Sequence, residues 1–313
     1  MKILISLSLT IGLLAAALAA DNPEWAYPAA LQPAGKPDDT ITKTVPGSSK
    51  QYTQAQIDDP FNPPDWFPDE HPPMPEIVAH GGTKPAGRAC AQCHLTSGDG
   101  HPESAGLSGL PADYIFRQMT AFKSGDRNGP RAGIMIAMAK VDTPEEIRAA
   151  ANYFAGLKQT FGYFTAVEAD TVPKSYVGDG GMRYASPDGG TEPIGERIIV
   201  LPKDATGALT RDPHFGFTDY VPPGSIARGE ALATTGGDGK TVACSLCHGP
   251  NLTGVGQVPP IIGRGATYIY RQLNDIQNGV RGGTSVGLMK PVVANLTSSD
   301  MIALAAYLET RKP

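Results

Sequence analysis

The sequence predicts a mainly α-helical chain: two tandem copies of one small unit, with a long irregular insert between them and a Pro-rich arm before them. Three observations predict this. Sliding the sequence by 154 positions lays residues 88–157 on 242–311 with 20 identities in 70 and no gap, which marks two homologous domains rather than coincidence. Each copy contains runs with apolar residues at helical spacing, and its final run opens on a helix-capping signature. Gly (37) and Pro (29) are abundant, so loops are abundant too.

The elements follow in chain order. Residues 1–20 carry one basic residue, Lys2, then the apolar run Ile3–Leu14 and the small-residue site Ala17-Leu18-Ala19. That is the pattern of a secretory signal peptide. An uncleaved anchor is the competing reading, since about 18 apolar residues just span a bilayer; the Ala-rich end before Asp21-Asn22-Pro23 favours cleavage. Residues 21–75 form an arm with twelve Pro and both Trp of the chain, Trp25 and Trp66. A Pro-rich extended arm is the plain reading, but Phe61, Trp66 and Phe67 would be costly to leave in water, so the arm is expected to dock in part.

The first unit is expected over residues 76–158. A short helix at 76–80 precedes CAQCH (90–94), and the run 112–124 places 115, 116, 119 and 122 on one helix face. Thr143-Pro144-Glu145-Glu146 then reads as a capping box with Pro at the first helical position, before Ile147, Ala151 and Phe154. Residues 159–224 form the insert, with strand candidates at 163–169 and 197–202 among Gly-rich turns. The second unit, 225–313, repeats the first: a helix at 225–234, CSLCH (244–248), and a final helix opened by Thr297-Ser298-Ser299-Asp300.

Charge and cysteine content narrow the function. Charged residues are 18 % and apolar residues 41 %, too apolar for a disordered chain. Net charge is −5, which sets nucleic-acid binding aside. Four Cys in 313 residues exclude a disulfide scaffold, yet all four stand in two C-x-x-C-H strings. Such a string reads as c-type haem attachment. Cys90 and Cys93, like Cys244 and Cys247, lie one helical turn apart, so both thiols reach the vinyl groups of one porphyrin edge. His94 and His248 follow as proximal iron ligands. A zinc site or a redox disulfide would leave both His unexplained.

Thioether sulfur is a soft, neutral donor suited to a sixth ligand in electron transfer. Met135 and Met289 each lie 41 residues after their His and eight before the Thr that caps the final helix. Met138 rivals Met135, but its repeat partner is Val292, which cannot ligate; Met119 pairs with Leu273 and reads as core.

On these residues the sequence resembles a dihaem class I cytochrome c of the cytochrome c4 type. The resemblance rests on CAQCH and CSLCH, Pro259-Pro260-Ile261-Ile262-Gly263, the pairs Tyr114/Gln118 and Tyr268/Gln272, Met135 and Met289, and the closing helices. It covers about 150 residues, half the chain. It implies two covalently bound haem c groups, one per domain and facing each other, each with His/Met ligation, in an exported periplasmic carrier. It also gives Pro260 a role in supporting His248, whose Nδ1–H needs a carbonyl partner. The first copy has Gly106 at that position, so the resemblance does not extend the same support to His94, and the insert exceeds the family pattern.

The remaining candidates are weaker. His71, His80, His101 and His214 lack His partners in the repeat register and read as surface residues. Arg127/Arg281 and Tyr114/Tyr268 are candidates for the haem propionates, against ordinary packing. No catalytic residue is expected. The chain reads as a shuttle of single electrons between redox-protein partners, a membrane oxidase or dehydrogenase among them, with membrane association only if the leader stays uncleaved. The alternatives are a dihaem enzyme of the peroxidase or thiosulfate-dehydrogenase type, or a fixed cytochrome subunit of a larger complex. An enzyme would need an open iron position.

Overall fold

A computed structural model describes residues 22–28 and 40–313. The signal-peptide reading of residues 1–20 lies outside the described residues.

Both units use the same helix order. The first has helices Glu76–Ala79, Ala91–His94, Ala112–Ser124, Gly133–Val141 and Pro144–Gly156. The second has Ser225–Thr235, Ser245–His248, Ala266–Gln277, Met289–Val293 and Ser298–Thr310. Capping fixes where the final helices begin. The Thr143 hydroxyl accepts from the Glu146 N–H (3.2 Å), and the Thr143 N–H donates to the Glu146 carboxylate (2.7 Å). Thr297 and Asp300 repeat the exchange at 3.2 and 2.9 Å. Each box satisfies N–H groups that a helix start otherwise leaves unpaired.

Met135 lies within a helix, and Met289 opens one. The run 132–141 is rich in Ala, Met and Ile, with no polar face to register as amphipathic. Strong helix formers supply the helix instead.

The helices Ser225–Thr235 and Ser298–Thr310 cross closely at Gly229, where a Cβ would sit 2.0 Å from the Ala303 carbonyl oxygen. Only glycine permits that approach.

The insert is partly sheet. Its central strand, Phe217–Val221, pairs in parallel with Phe164–Glu168 and antiparallel with Ile199–Pro202. Phe164 stands opposite Phe217, and their rings stack 5.3 Å apart. These strands bury Phe164, Val200, Phe217 and Val221 in one core with Leu304 and Leu308 of the last helix, so the insert is fused to the second unit. The first unit keeps a separate core around Ile77, Val78, Ile115, Ala151 and Phe154.

The described part of the arm docks, as its aromatic residues require. Trp66 is 2 % exposed and packs with Val45 and Ile57. Its indole N–H donates to the Thr210 carbonyl (2.8 Å), which ties arm to insert. The Ala89 N–H donates to the Pro60 carbonyl (2.9 Å), which ties the arm to the first unit.

Candidate functional site

Each C-x-x-C-H string forms one helical turn closed by the His N–H on the first Cys carbonyl, at 3.0 Å for His94 and 2.9 Å for His248. The chain then turns back through a small antiparallel bridge, His101 to Ser104 in one copy and Val255 to Val258 in the other. That turn aims a backbone carbonyl at each imidazole. Nδ1 of His94 lies 2.8 Å from the Ala105 oxygen, and Nδ1 of His248 lies 2.8 Å from the Pro259 oxygen. A carbonyl can only accept, so Nδ1 carries the proton and Nε2 keeps its lone pair. Burial holds both imidazoles below the usual pKa, hence neutral.

This geometry corrects one expectation. The carbonyl beside His248 belongs to Pro259, not Pro260, and His94 has the same support from Ala105. Backbone geometry performs the task, so a Pro at the following position is not required.

None of the four Cys forms a disulfide. Burial pushes the Cys90 thiol up to about 12 and the Cys244 thiol up to about 11. Among the described residues no three His, Cys, Asp or Glu side chains gather around a metal-sized point. The two Cys pairs therefore do not converge on one ion, as a shared zinc site would demand.

In the second unit, Cys244, Cys247, His248 and Met289 line one largely apolar cavity of about 250 Å³. Ile261, Ile269 and Leu273 are among the apolar residues of its wall. Two thiols, an imidazole with a free Nε2 and a thioether on one apolar chamber are the donor set that covalent haem takes. In the first unit, Met135 is half-buried beside Phe122, Ala132 and Ala139, whereas Met138 is 5 % exposed.

A polar network joins the units beside the cavity. Arg127 donates to Gln118 of its own unit (3.0 Å) and to Gln272 of the other (2.7 Å). Arg281 does the reverse, reaching Gln272 (2.9 Å), Gln118 (3.1 Å) and the Tyr114 hydroxyl (2.8 Å). Burial alone would raise the Tyr268 phenol; the charges of Arg127 and Arg281 outweigh it and hold the phenol below its usual value. The sequence offered a signal for this network, because all three residue types recur in register.

The other histidines divide. His80 and His214 are exposed, as expected. His101 is buried and bonds Ser104, and burial pushes it down to about 3, so it is a neutral interior residue and not a surface one. His71 is partly buried and bonds Asp65 (3.1 Å). Sequence reading also missed Arg271, a buried guanidinium that reaches the Ala26 carbonyl, the Pro102 carbonyl (3.0 Å) and Glu103 (2.8 Å). Its partners lie far away in sequence, so no local pattern marks it.

Residues 226–312 match the family model described as Cytochrome c. Over 229 residues the chain is 29 % identical to "Thiosulfate dehydrogenase electron acceptor" of Thiomonas intermedia, covering 72 % of this chain and 79 % of the relative. It is 33 % identical to cytochrome c4 of Azotobacter vinelandii over 94 residues, 28 % of this chain and 43 % of the relative. It is 31 % identical to cytochrome c-554(548) of Halomonas halodenitrificans over 85 residues, 27 % of this chain and 99 % of the relative. No helix among the described residues is long and apolar enough to cross a membrane.

Proposed function

The chain belongs to the cytochrome c family, and on that premise we propose that it is an exported carrier that takes single electrons from a dehydrogenase and passes them to a second redox protein. Its prosthetic groups are two covalently bound haem c. When bound, haem supplies one-electron chemistry at its iron. Everything else falls to the chain.

Cys90 and Cys93 would tether one group, and Cys244 and Cys247 the other. His94 and His248 would ligate through Nε2, oriented by the Ala105 and Pro259 carbonyls. Met135 and Met289 would supply the sixth ligands, which leaves no open position for substrate. Arg281 and Tyr268 line the cavity wall, where positive charge and a hydroxyl would offset buried porphyrin carboxylates.

The observation that carries this reading is the doubled carbonyl-fixed imidazole, 154 residues apart, with a Met 41 residues after each His. Similarity to the Thiomonas intermedia acceptor supports thiosulfate oxidation as the source of electrons. A leader of signal-peptide pattern supports a periplasmic site.

The test is to mix the oxidised holoprotein with thiosulfate, with and without a thiosulfate dehydrogenase. Reduction only when the enzyme is present supports the carrier. Reduction by thiosulfate alone, or rapid binding of cyanide to one haem of the oxidised protein, would favour a dihaem enzyme instead.

A further inference from the structure

Asp142 stands between helix Gly133–Val141 and the Thr143 cap of the final helix of the first unit. It is 3 % exposed, and its Oδ1 has no hydrogen-bond partner among the described residues. Two glycines leave room for that oxygen: a Cβ would sit 2.8 Å from it at Gly82 and 2.9 Å at Gly87. A buried carboxylate without a donor is costly unless it takes a proton. Burial, and then the charge of Glu146, push Asp142 up to about 6.

The repeat relates this carboxyl to a haem site. Shifted by 154 positions, Asp142 falls on Leu296 and Gly87 on Thr241. Leu296 and Thr241 both line the cavity that holds Cys244, His248 and Met289. The first unit thus sets a carboxyl where the second sets an apolar wall. Its field reaches the tether, because the Asp142 charge adds to burial in raising the Cys90 thiol.

No cation answers it. On the flanking segments 76–90 and 133–148, Glu146 is the charged group that faces Asp142, with its Oε1 3.5 Å from a Cβ at Gly82. Glu76, His80, Lys84, Arg88, Lys140 and Glu145 are exposed. Lys84 lies over the Phe61 ring (4.4 Å), and Arg148 is held by Asp113 (2.6 Å).

We propose that Asp142 is the redox-linked proton site of the first haem: it binds one proton when that haem gains an electron and releases it when the electron leaves. The ferric site carries one more positive charge than the ferrous, which favours the carboxylate; reduction removes that charge and favours the acid. The electron comes from the reduced partner and the proton from water, and the O–H bond of the acid is the only bond formed. Thr143, next in the chain, is exposed, so solvent lies one residue away. Leu296 cannot titrate, so the second haem has no counterpart. Low pH therefore favours an electron on the first haem, and rising pH moves it toward the second. This inference rests on the two-haem carrier reading above.

The experiment is a spectroelectrochemical titration of the full-length holoprotein at a series of pH values. One potential should fall by about 59 mV as pH rises through about 6, which corresponds to a tenfold difference in the proton affinity of Asp142 between the two oxidation states. The other potential should not follow. Asp142→Asn, and Asp142→Leu with the residue type of the second unit, should each abolish the fall. Reduced-minus-oxidised infrared spectra of the wild type near pH 6 should show a carboxylic-acid C=O band gained on reduction, and Asp142→Asn should lack it.

The proposal is overturned if neither potential falls, if both fall together, or if the fall survives in the Asn and Leu variants, which would assign it to the porphyrin carboxylates. Absence of an acid band on reduction of the wild type overturns it without recourse to a variant. Reduction by ascorbate and reoxidation by ferricyanide separate this from the carrier reading. If the wild type fails to cycle both haems with these reagents, the carrier reading itself fails. If it cycles both and neither potential follows pH, only the assignment of Asp142 falls.

Discussion

Arg127 and Arg281, equivalent residues of the two units, face each other as an antiparallel backbone bridge across the junction. The Asn128 N–H donates to the Val280 carbonyl (2.8 Å), and the Gly282 N–H donates to the Asp126 carbonyl (2.6 Å). Each guanidinium bonds one Gln of its own unit and one of the other. The repeat has thus become a near-twofold interface, in which a residue and its copy perform reciprocal tasks.

Loss of either Arg leaves buried acceptors short of donors. Arg281→Ala removes bonds to Gln272, Gln118 and Tyr114 at once. Charge-assisted bonds of this kind contribute about 1.5–3 kcal/mol. We expect urea unfolding of the Arg281→Ala holoprotein to show a loss of that order. The double variant with Arg127→Ala should lose more than the sum of the singles, since each Gln oxygen keeps one Arg donor in either single variant and none in the double. Additive losses would mean that the two guanidinia act independently.

Much of this arrangement is legible in the sequence because the repeat supplies it. Cys, His, Met, Tyr, Gln and Arg recur at one offset, and capping boxes mark both final helices. What escapes is whatever depends on contacts distant in sequence. Trp66 meets Thr210 across 144 residues, and Arg271 meets Glu103 across 168. The Pro259 carbonyl is a further case: its aim is set by the Val255–Val258 bridge, a backbone feature no residue type announces. His101 looked like a surface residue because its polarity, not its position under the insert, was all the sequence offered.

The two Met assignments separate by spectroscopy. Each His/Met site should contribute its own long-wavelength thioether–iron absorption band in the ferric protein. Met289→Ala should therefore remove about half of the total band, and Met135→Ala the other half. Met138→Ala should leave the band intact and cost stability instead, because Met138 is buried. If Met138→Ala removes the band and Met135→Ala does not, the repeat register has misled and the first haem takes its ligand three residues later.

The arm should behave as part of the folded body. Trp66 fills the space between Val45, Ile57 and the insert, and its indole satisfies the Thr210 carbonyl. Removing a buried aromatic of this size costs about 3–5 kcal/mol. Trp66→Ala should loosen the arm before the helical units unfold, so trypsin should cut at Lys43 and Lys50 while both haem spectra persist. Loss of both spectra together with the arm would show that the molecule unfolds as one cooperative unit.

Asp219 on the insert strand and Glu309 on the final helix are both buried, and both accept the Ala266 N–H at the start of helix Ala266–Gln277. Burial pushes Asp219 up to about 6; burial and the neighbouring Asp219 charge hold Glu309 well above its usual value. Lys203 opposes both shifts without reversing them. The folded pair thus keeps protons that an unfolded chain releases near its ordinary carboxylate pKa, about 4. Stability from this pair is complete below that pH and is lost as pH rises through the folded values. Asp300 has the opposite sign. It is buried, yet bonds from Lys240, Thr297 and Arg228 outweigh that and hold it low, so its contribution is lost only in strong acid. Glu309→Gln removes one titrating member while its amide can still donate to Asp219. Its urea midpoint should therefore fall less than that of the wild type between about pH 5 and pH 8, and exceed it at the alkaline end. Parallel curves for the two proteins would mean that strand and helix meet there without sharing a proton.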